Sequence, residues 1–309
     1  MNRLSFKQVN VLIVDPDLLN LDGIRMILRN SRFGRLETGE NLAYIKERLE
    51  HTSPDLLIAA ADLPDGSLSS LVGDIRHHKI GPDPFLPVIA MTGNPNEDLV
   101  RSIVDSGADD LLIKPLSTVQ LLERVTTLVN QRKPFVVTCD YVGPDRRKSS
   151  NRPTTVPMLE VPNALKVKAT GGSHAELQNE IRAMIDEINE QKLDRHVNQI
   201  NWLADALTSE FQGHGRSVVF YEHLERLAFV AEDAMRRIVG TRHSHISDLC
   251  DSLISVATRI KASADQISGG LDAVERDLKL LHPLGEAINA GFTEGVEITA
   301  HKIADTVRI

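Results

Sequence analysis

A chain of 309 residues, 41% hydrophobic and only 4% aromatic, is long enough for about two packed domains whose cores rest on Leu, Ile, Val and Ala. Scarce aromatics disfavour base-stacking platforms, and a formal net charge of −8 argues against a nucleic-acid partner, because phosphate contacts need a cationic surface. The distant Cys139 and Cys250, with no CxxC pattern or histidine at ligand spacing, support neither a disulfide framework nor a zinc site and point to a reducing cytoplasm.

The N-terminal segment MNRLSFKQVNVLIVDPD lacks the apolar core of a signal peptide. No stretch approaches the roughly 18 apolar residues of a membrane span, so a cytoplasmic location without membrane association is expected. From residue 9 to about 131, short apolar runs alternate with amphipathic stretches. The runs are Val9–Val14, Leu56–Ala61, Pro87–Thr92 and Leu111–Ile113, with a weaker one around Leu36. Such runs between helical patterns predict strands buried on both faces of a parallel sheet. Leu18, Leu21, Ile24, Ile27 and Leu28 share one helical face, as do Val119, Leu122, Val125, Thr126 and Val129. The order is (βα)5, an α/β doubly wound parallel sheet over residues 1–131.

Residues 132–170 change character. Five prolines (Pro134, Pro144, Pro153, Pro157 and Pro162) and the basic residues Arg146, Arg147, Lys148 and Arg152 predict an extended linker, with 148–155 its most flexible part. Residues 171–309 read as an all-α helical bundle. Apolar positions recur at three- and four-residue steps from Leu177 to Phe211, and Gly213-His214-Gly215 ends that run. A second helix is expected over 218–239, a third over 244–267 ended by Gly269-Gly270, and two more between Leu271 and Ile309, divided near Thr293–Gly295.

The functional edge of an open α/β sheet lies beyond the carboxyl ends of its strands. There the sequence places Asp15-Pro16-Asp17, Ala60-Ala61-Asp62-Leu63-Pro64-Asp65-Gly66, Thr92-Gly93 and Lys114-Pro115. Acid, hydroxyl and lysine converging on one edge suit metal-assisted phosphoryl chemistry. The segments VLIVDPD, PDLLIAAADLPDG, PVIAMTG and GADDLLIKP resemble, in order, the signature segments of the receiver domain of bacterial two-component response regulators.

The resemblance implies that Asp15 matches the first of a metal-binding acidic pair, Thr92 the hydroxyl and Lys114 the lysine that contact the phosphoryl group, with a cis bond to Pro115. It also implies a phosphoacceptor four residues before Pro64 and five after Asp55, and both counts give Ala60. A methyl group can neither attack phosphorus nor ligate a cation. Pro16 stands for the second acid and Leu111 for an aromatic switch residue. Asp17 and Asp62 remain as residual pocket acids, but Asp62 lies two positions past the strand end and would need a rebuilt loop. With Asp15 as a weak metal candidate, no metal and no cofactor are expected, because hard cations want several oxygen ligands. Lys114 is expected to pair with Asp15 and fix the pocket in one state.

The expected role is a phosphorylation-independent, non-enzymatic signalling adaptor of a two-component phosphorelay. It would dock a histidine kinase, another response regulator or its own helical domain through the face made by the fourth helix, fifth strand and fifth helix, with Glu97, Arg101, Asp105 and Leu122 in that region. The alternative is a phosphotransfer or catalytic role of the helical bundle regulated by the receiver. His196, His223, His243, His245, His282 and His301 are its candidates, read otherwise as surface or capping residues; only His223, followed by Arg226, partly resembles a phosphotransfer pattern. Gly143-Pro144-Asp145-Arg146-Arg147-Lys148 resembles the arginine-rich entry of PilZ domains, which bind cyclic diguanylate, but the downstream segment of that family is absent. The long helix over 174–211 suggests a homodimer through its apolar seam.

Overall fold

The computed structural model describes residues 4–147, 157–266 and 270–294, and the chain divides into two compact units, 1–187 and 188–309. The first unit contains β1 (Val11–Val14), α1 (Leu18–Asn30), β2 (Leu36–Gly39), α2 (Leu42–His51), β3 (Leu56–Ala60), the small hairpin of β4 (Asp62–Leu63) and β5 (Gly66–Ser67), and α3 (Leu68–Arg76). It continues with β6 (Val88–Thr92), α4 (Glu97–Ser106), β7 (Asp110–Ile113) and α5 (Thr118–Asn130). Five strands form a parallel sheet in the order β2-β1-β3-β6-β7, the doubly wound arrangement expected from the alternating pattern.

Strand parity divides the core. Val11, Ile13 and Ile58 face α1 and α5, meeting Leu21, Ile24, Leu28, Leu121 and Val125. Leu12, Val14 and Leu57 face the other way, toward Ile45 of α2, Leu71 and Val72 of α3 and Ile103 of α4. The helices start where a side-chain oxygen takes an orphan amide: Asp17 for α1, Asn41 for α2, Ser67 for α3, Asn96 for α4, and for α5 a full capping box between Ser117 and Gln120. β1 starts two residues later than expected because the Val9 amide is bound to Phe6 O at 3.0 Å, closing a short 3₁₀ turn.

Residues 132–147 and 157–170 are not an extended linker. They form β8 (Phe135–Val137), β9 (Val142–Pro144) and β10 (Met158–Leu159), an antiparallel sheet in the order β10-β8-β9, followed by α6 (Ala164–Thr170). The physical reason is burial: Phe135, Val137, Tyr141, Val142 and Leu165 are all withdrawn from solvent, and Leu165 and Ala169 join the α1–α5 side of the core. The boundary therefore falls not at 131/132 or 170/171 but within α7 (His174–His214). The expected flexible stretch 148–155, with Arg152 and Pro153, lies outside the described residues.

The second unit holds the rest of α7, α8 (Val218–Ile238), α9 (Ser247–Ala264) and α10 (Leu271–Glu294). α7 ends at His214, with Gly215 in the left-handed region at φ 63°. The third expected helix starts later, at Ser247, because Ser244–Ile246 form a 3₁₀ turn; Ile267 and Gly269 lie outside the described residues. α10 runs through Pro283 to Glu294, and the division expected near 293–295 and anything beyond it lie at or outside the described limit. Leu193, Val197, Ile200, Leu203 and Leu207 of α7 meet Leu224, Leu227, Leu253, Ile260 and Leu281 in one apolar core. The seam of α7 that suggested a dimer is thus largely spent inside the chain. No helix among the described residues is long and apolar enough to cross a membrane.

Candidate functional site

The strand order places the ends of β1 and β3 side by side, where α/β sheets build their sites. Asp15 follows β1 and is fully buried. Its Oδ1 accepts from the Asp17 amide at 3.0 Å, and its Oδ2 pairs with Lys114 Nζ, whose side chain is 16% exposed. Lys114 is brought there by β7, and its bond to Pro115 is cis. Thr92 ends β6 in a buried position, and its Oγ1 accepts from the Asn94 amide at 3.2 Å. The structure therefore joins Lys114 to Asp15, and the Lys114 amide donates to Thr92 O at 2.7 Å.

At the end of β3 stands Ala60, only 3% exposed, in register with Met91. No carboxylate occupies that strand terminus. Asp62 is exposed on the β4–β5 hairpin, opposite Ser67. Asp17 is turned to α1, accepting from the Leu19 amide at 2.9 Å and from Asn20 Nδ2 at 3.1 Å. Leu111 is half-buried against the α2–α4 side of the core. Among the described residues no group of three His, Cys, Asp or Glu could hold a metal ion.

Asp65 was missed as a structural residue. Its carboxylate accepts from the amides of Leu42 at 2.7 Å and Ala43 at 2.9 Å, and these bonds, that of Leu42 foremost, hold it below the usual carboxylate range. The signal was present as Asp-Gly after Pro64, but its partner lies 23 residues upstream and no local pattern reveals it.

The face expected for docking carries a cavity of about 410 Å3 between α4 and the edge strand β7. Val100, Val104 and Ile113 line it and are 36%, 39% and 56% exposed, respectively, and Lys133, Asp145 and Arg146 border it. Of the residues named there, Glu97 pairs with Arg101 at 2.9 Å and Leu122 packs partly on the α1–α5 core. Asp105 binds Arg146, whose guanidinium also lies 3.9 Å from the centroid of Tyr141. Arg147 is held by Asp145 at 2.9 Å. These two arginines are engaged within the chain rather than presented as an open anion cradle; Lys148 lies outside the described residues.

The histidines are dispersed. His196 is not a surface residue: it is fully buried, with Nε2 2.7 Å from Asp233, beside buried Lys192 and Arg237. His243 is buried against Phe292, and His245 bridges Arg242 O and Gly291 O. His282 faces Asp205 at 3.0 Å on the surface, and His223 lies edge-on to Trp202. His301 lies outside the described residues. Burial pushes the Cys250 thiol up to about 12.

Comparison with known proteins agrees with the receiver resemblance. Residues 11–126 match the family model of the response regulator receiver domain. The chain is 23% identical over 225 residues to a cyclic di-GMP phosphodiesterase of Thermotoga maritima, covering 70% of this chain and 54% of that protein. It is 26% identical over 128 residues to the phosphate regulon transcriptional regulatory protein PhoB of Escherichia coli, covering 41% of this chain and 54% of that protein. The chain thus spans about half the length of these curated relatives. A solved CheY-like receiver domain protein from Methanospirillum hungatei is 24% identical, with a TM-score of 0.35 over 38% of this chain and 90% of that one. Residues 11–126 of this chain are a response regulator receiver domain, a module of two-component signalling.

Proposed function

We propose that the chain is an adaptor of a two-component pathway whose receiver domain signals by protein docking and does not accept a phosphoryl group. One observation carries this reading: a buried methyl group, Ala60, stands at the end of β3 where the resemblance asks for a nucleophilic carboxylate. The ion pair of Lys114 with Asp15 supports it, because a lysine held by the remaining acid leaves the pocket with one settled arrangement. Asp17 is engaged at the cap of α1, and Asp62 stands on the exposed hairpin, so neither supplies a ready substitute.

The apolar groove between α4 and β7 is the docking face, and a histidine kinase or another response regulator is its partner class. The test is direct. The full chain is incubated with magnesium and a small phosphodonor, then weighed intact; no phosphoryl adduct is expected. A stoichiometric, hydroxylamine-labile adduct on residues 1–131 overturns the proposal. Val104→Glu, on the rim of the groove, is expected to abolish partner retention while leaving the fold unchanged.

A second reading is motivated by the Thermotoga relative, whose alignment of 225 residues is longer than the receiver domain: the helical unit would carry a catalytic or phosphotransfer output. Assay of cyclic di-GMP hydrolysis, and of radiolabel transfer from a phosphorylated receiver to wild type and His223→Ala, separates it from the adaptor reading.

A further inference from the structure

Among its described residues, the second unit presents an ordered surface stripe on α8. α8 has an inner seam, Phe220, Leu224, Leu227, Ala231, Ala234 and Ile238, which is buried in the bundle. It also has an outer seam at Val219, Glu222, Arg226 and Phe229, whose steps of three, four and three residues repeat coiled-coil spacing. Val219 is 43% and Phe229 46% exposed. Beside the stripe, Trp202 of α7 is 58% exposed and stands edge-on to His223, ring centroids 5.3 Å apart. Large aromatic and aliphatic side chains left this open, with an arginine among them, are the composition of an interface centre.

The order of the stripe identifies its occupant. Counted from Leu224, Val219 lies five residues before and Phe229 five after, and Glu222 lies two before and Arg226 two after. Two antiparallel copies of α8 related by a two-fold axis at the level of Leu224 bring equidistant positions face to face. Val219 of each copy then meets Phe229 of the other, and Glu222 of each meets Arg226 of the other. An acidic or a basic partner surface would match one charge and repel the other; a second copy in this register matches both. Arg226 is already oriented, its guanidinium 5.4 Å from the Phe229 centroid and bonded to Gln199 at 3.2 Å, which lowers the entropy lost on pairing.

We infer that the outer seam of α8 is a homodimer interface in which two copies of this chain pair antiparallel through Val219, Glu222, Arg226 and Phe229. The inference is independent of the receiver reading and uses another surface.

Sedimentation equilibrium on the full chain tests it, with circular dichroism to confirm equal helicity of each variant. Wild type is expected to be dimeric at micromolar concentration. Glu222→Arg and Arg226→Glu each turn two attractions into two repulsions and raise the dimer Kd about tenfold or more. The double exchange, Glu222→Arg with Arg226→Glu, restores opposite charges across the axis and returns the Kd to near the wild-type value. That rescue distinguishes this interface from one elsewhere on the molecule. A wild type that stays monomeric, single variants that dimerise like wild type, or a folded double variant that stays dissociated would each overturn the inference. Trp202, the sole tryptophan, gives a second readout: its emission moves to longer wavelength on dilution of wild type and already lies there in Arg226→Glu.

Discussion

Lys114 and Asp15 form the pair on which the resting pocket turns. The acid is fully buried and the lysine nearly so, and breaking such a pair from one side leaves a charge with no compensation. Lys114→Met is therefore expected to destabilise the first unit by about 3 kcal/mol, and adding Asp15→Asn to recover most of that loss, since a buried pair exchanged for neutral groups costs far less than a buried orphan. Urea denaturation followed by circular dichroism measures both; equal losses in the single and double variants would contradict the argument. Asp55 gives a pH dependence of opposite origin. Burial raises its carboxyl to about 6 despite the bond it accepts from the Asn10 amide. The folded chain thus holds this proton more tightly than the unfolded chain, so the stabilisation is complete below about pH 4 and lost as pH rises through about 6. Asp55→Asn should remove this slope and raise stability at pH 7 by about 1–2 kcal/mol after solvent screening. These residues stand in motifs visible in the sequence, and the family resemblance implied Ala60 by its spacing from Asp55 and Pro64. Asp109 was not so visible: its ion pairs reach 33 residues back to Arg76 and 23 forward to Arg132, distances over which no local pattern carries information.

At the level of elements, the segment after α5 shows where composition misleads. Its prolines suggested an extended linker, yet Pro144 sits in β9, an edge strand of the small sheet, and Pro134 directly precedes β8, places where a missing amide donor is tolerated. What holds the segment is a charged and aromatic cluster. Fully buried Arg76 donates to Gly107 O, Pro84 O and Leu86 O and pairs with Asp109 at 2.9 Å, and Arg132 pairs with the same acid at 2.7 Å. Both guanidiniums lie against the Phe135 ring, at 5.2 and 4.9 Å from its centroid. Burial pulls Arg76 down to about 10, so it depends on these partners. The backbones also meet: a Cβ on Gly143 would stand 2.7 Å from Gly107 Cα, and Gly107 itself is at φ 90°. Phe135→Ala is expected to cost about 3–5 kcal/mol, the usual loss for a buried phenylalanine, and Phe135→Leu clearly less. Near-equal stability of wild type and Phe135→Ala by urea titration would show that the segment merely lies on the receiver. A receiver fragment ending at residue 131 would expose this cluster, so the folding unit is longer than the family match over residues 11–126.

For the whole molecule, the division into residues 1–187 and 188–309 falls inside α7, a place that the sequence marks with no glycine, proline or polar linker. Periodicity revealed that helix but not which of its turns serve which core. The apolar clusters supply the answer. Among the described residues, those flanking the sheet extend up to Ala169, whereas the bundle cluster begins at Leu193 and includes no residue of the sheet. Two cores without a shared side chain need not melt together, so a single two-state transition is not expected of this chain. Differential scanning calorimetry should resolve two heat-absorption peaks. Phe135→Ala should lower only the first unit's peak. Leu253→Ala, at a fully buried position of the bundle core, should lower only the second by the amount that a loss of about 2–5 kcal/mol implies. If either substitution moved both peaks equally, α7 would have to transmit stability along its length, and the two units would fold as one cooperative body.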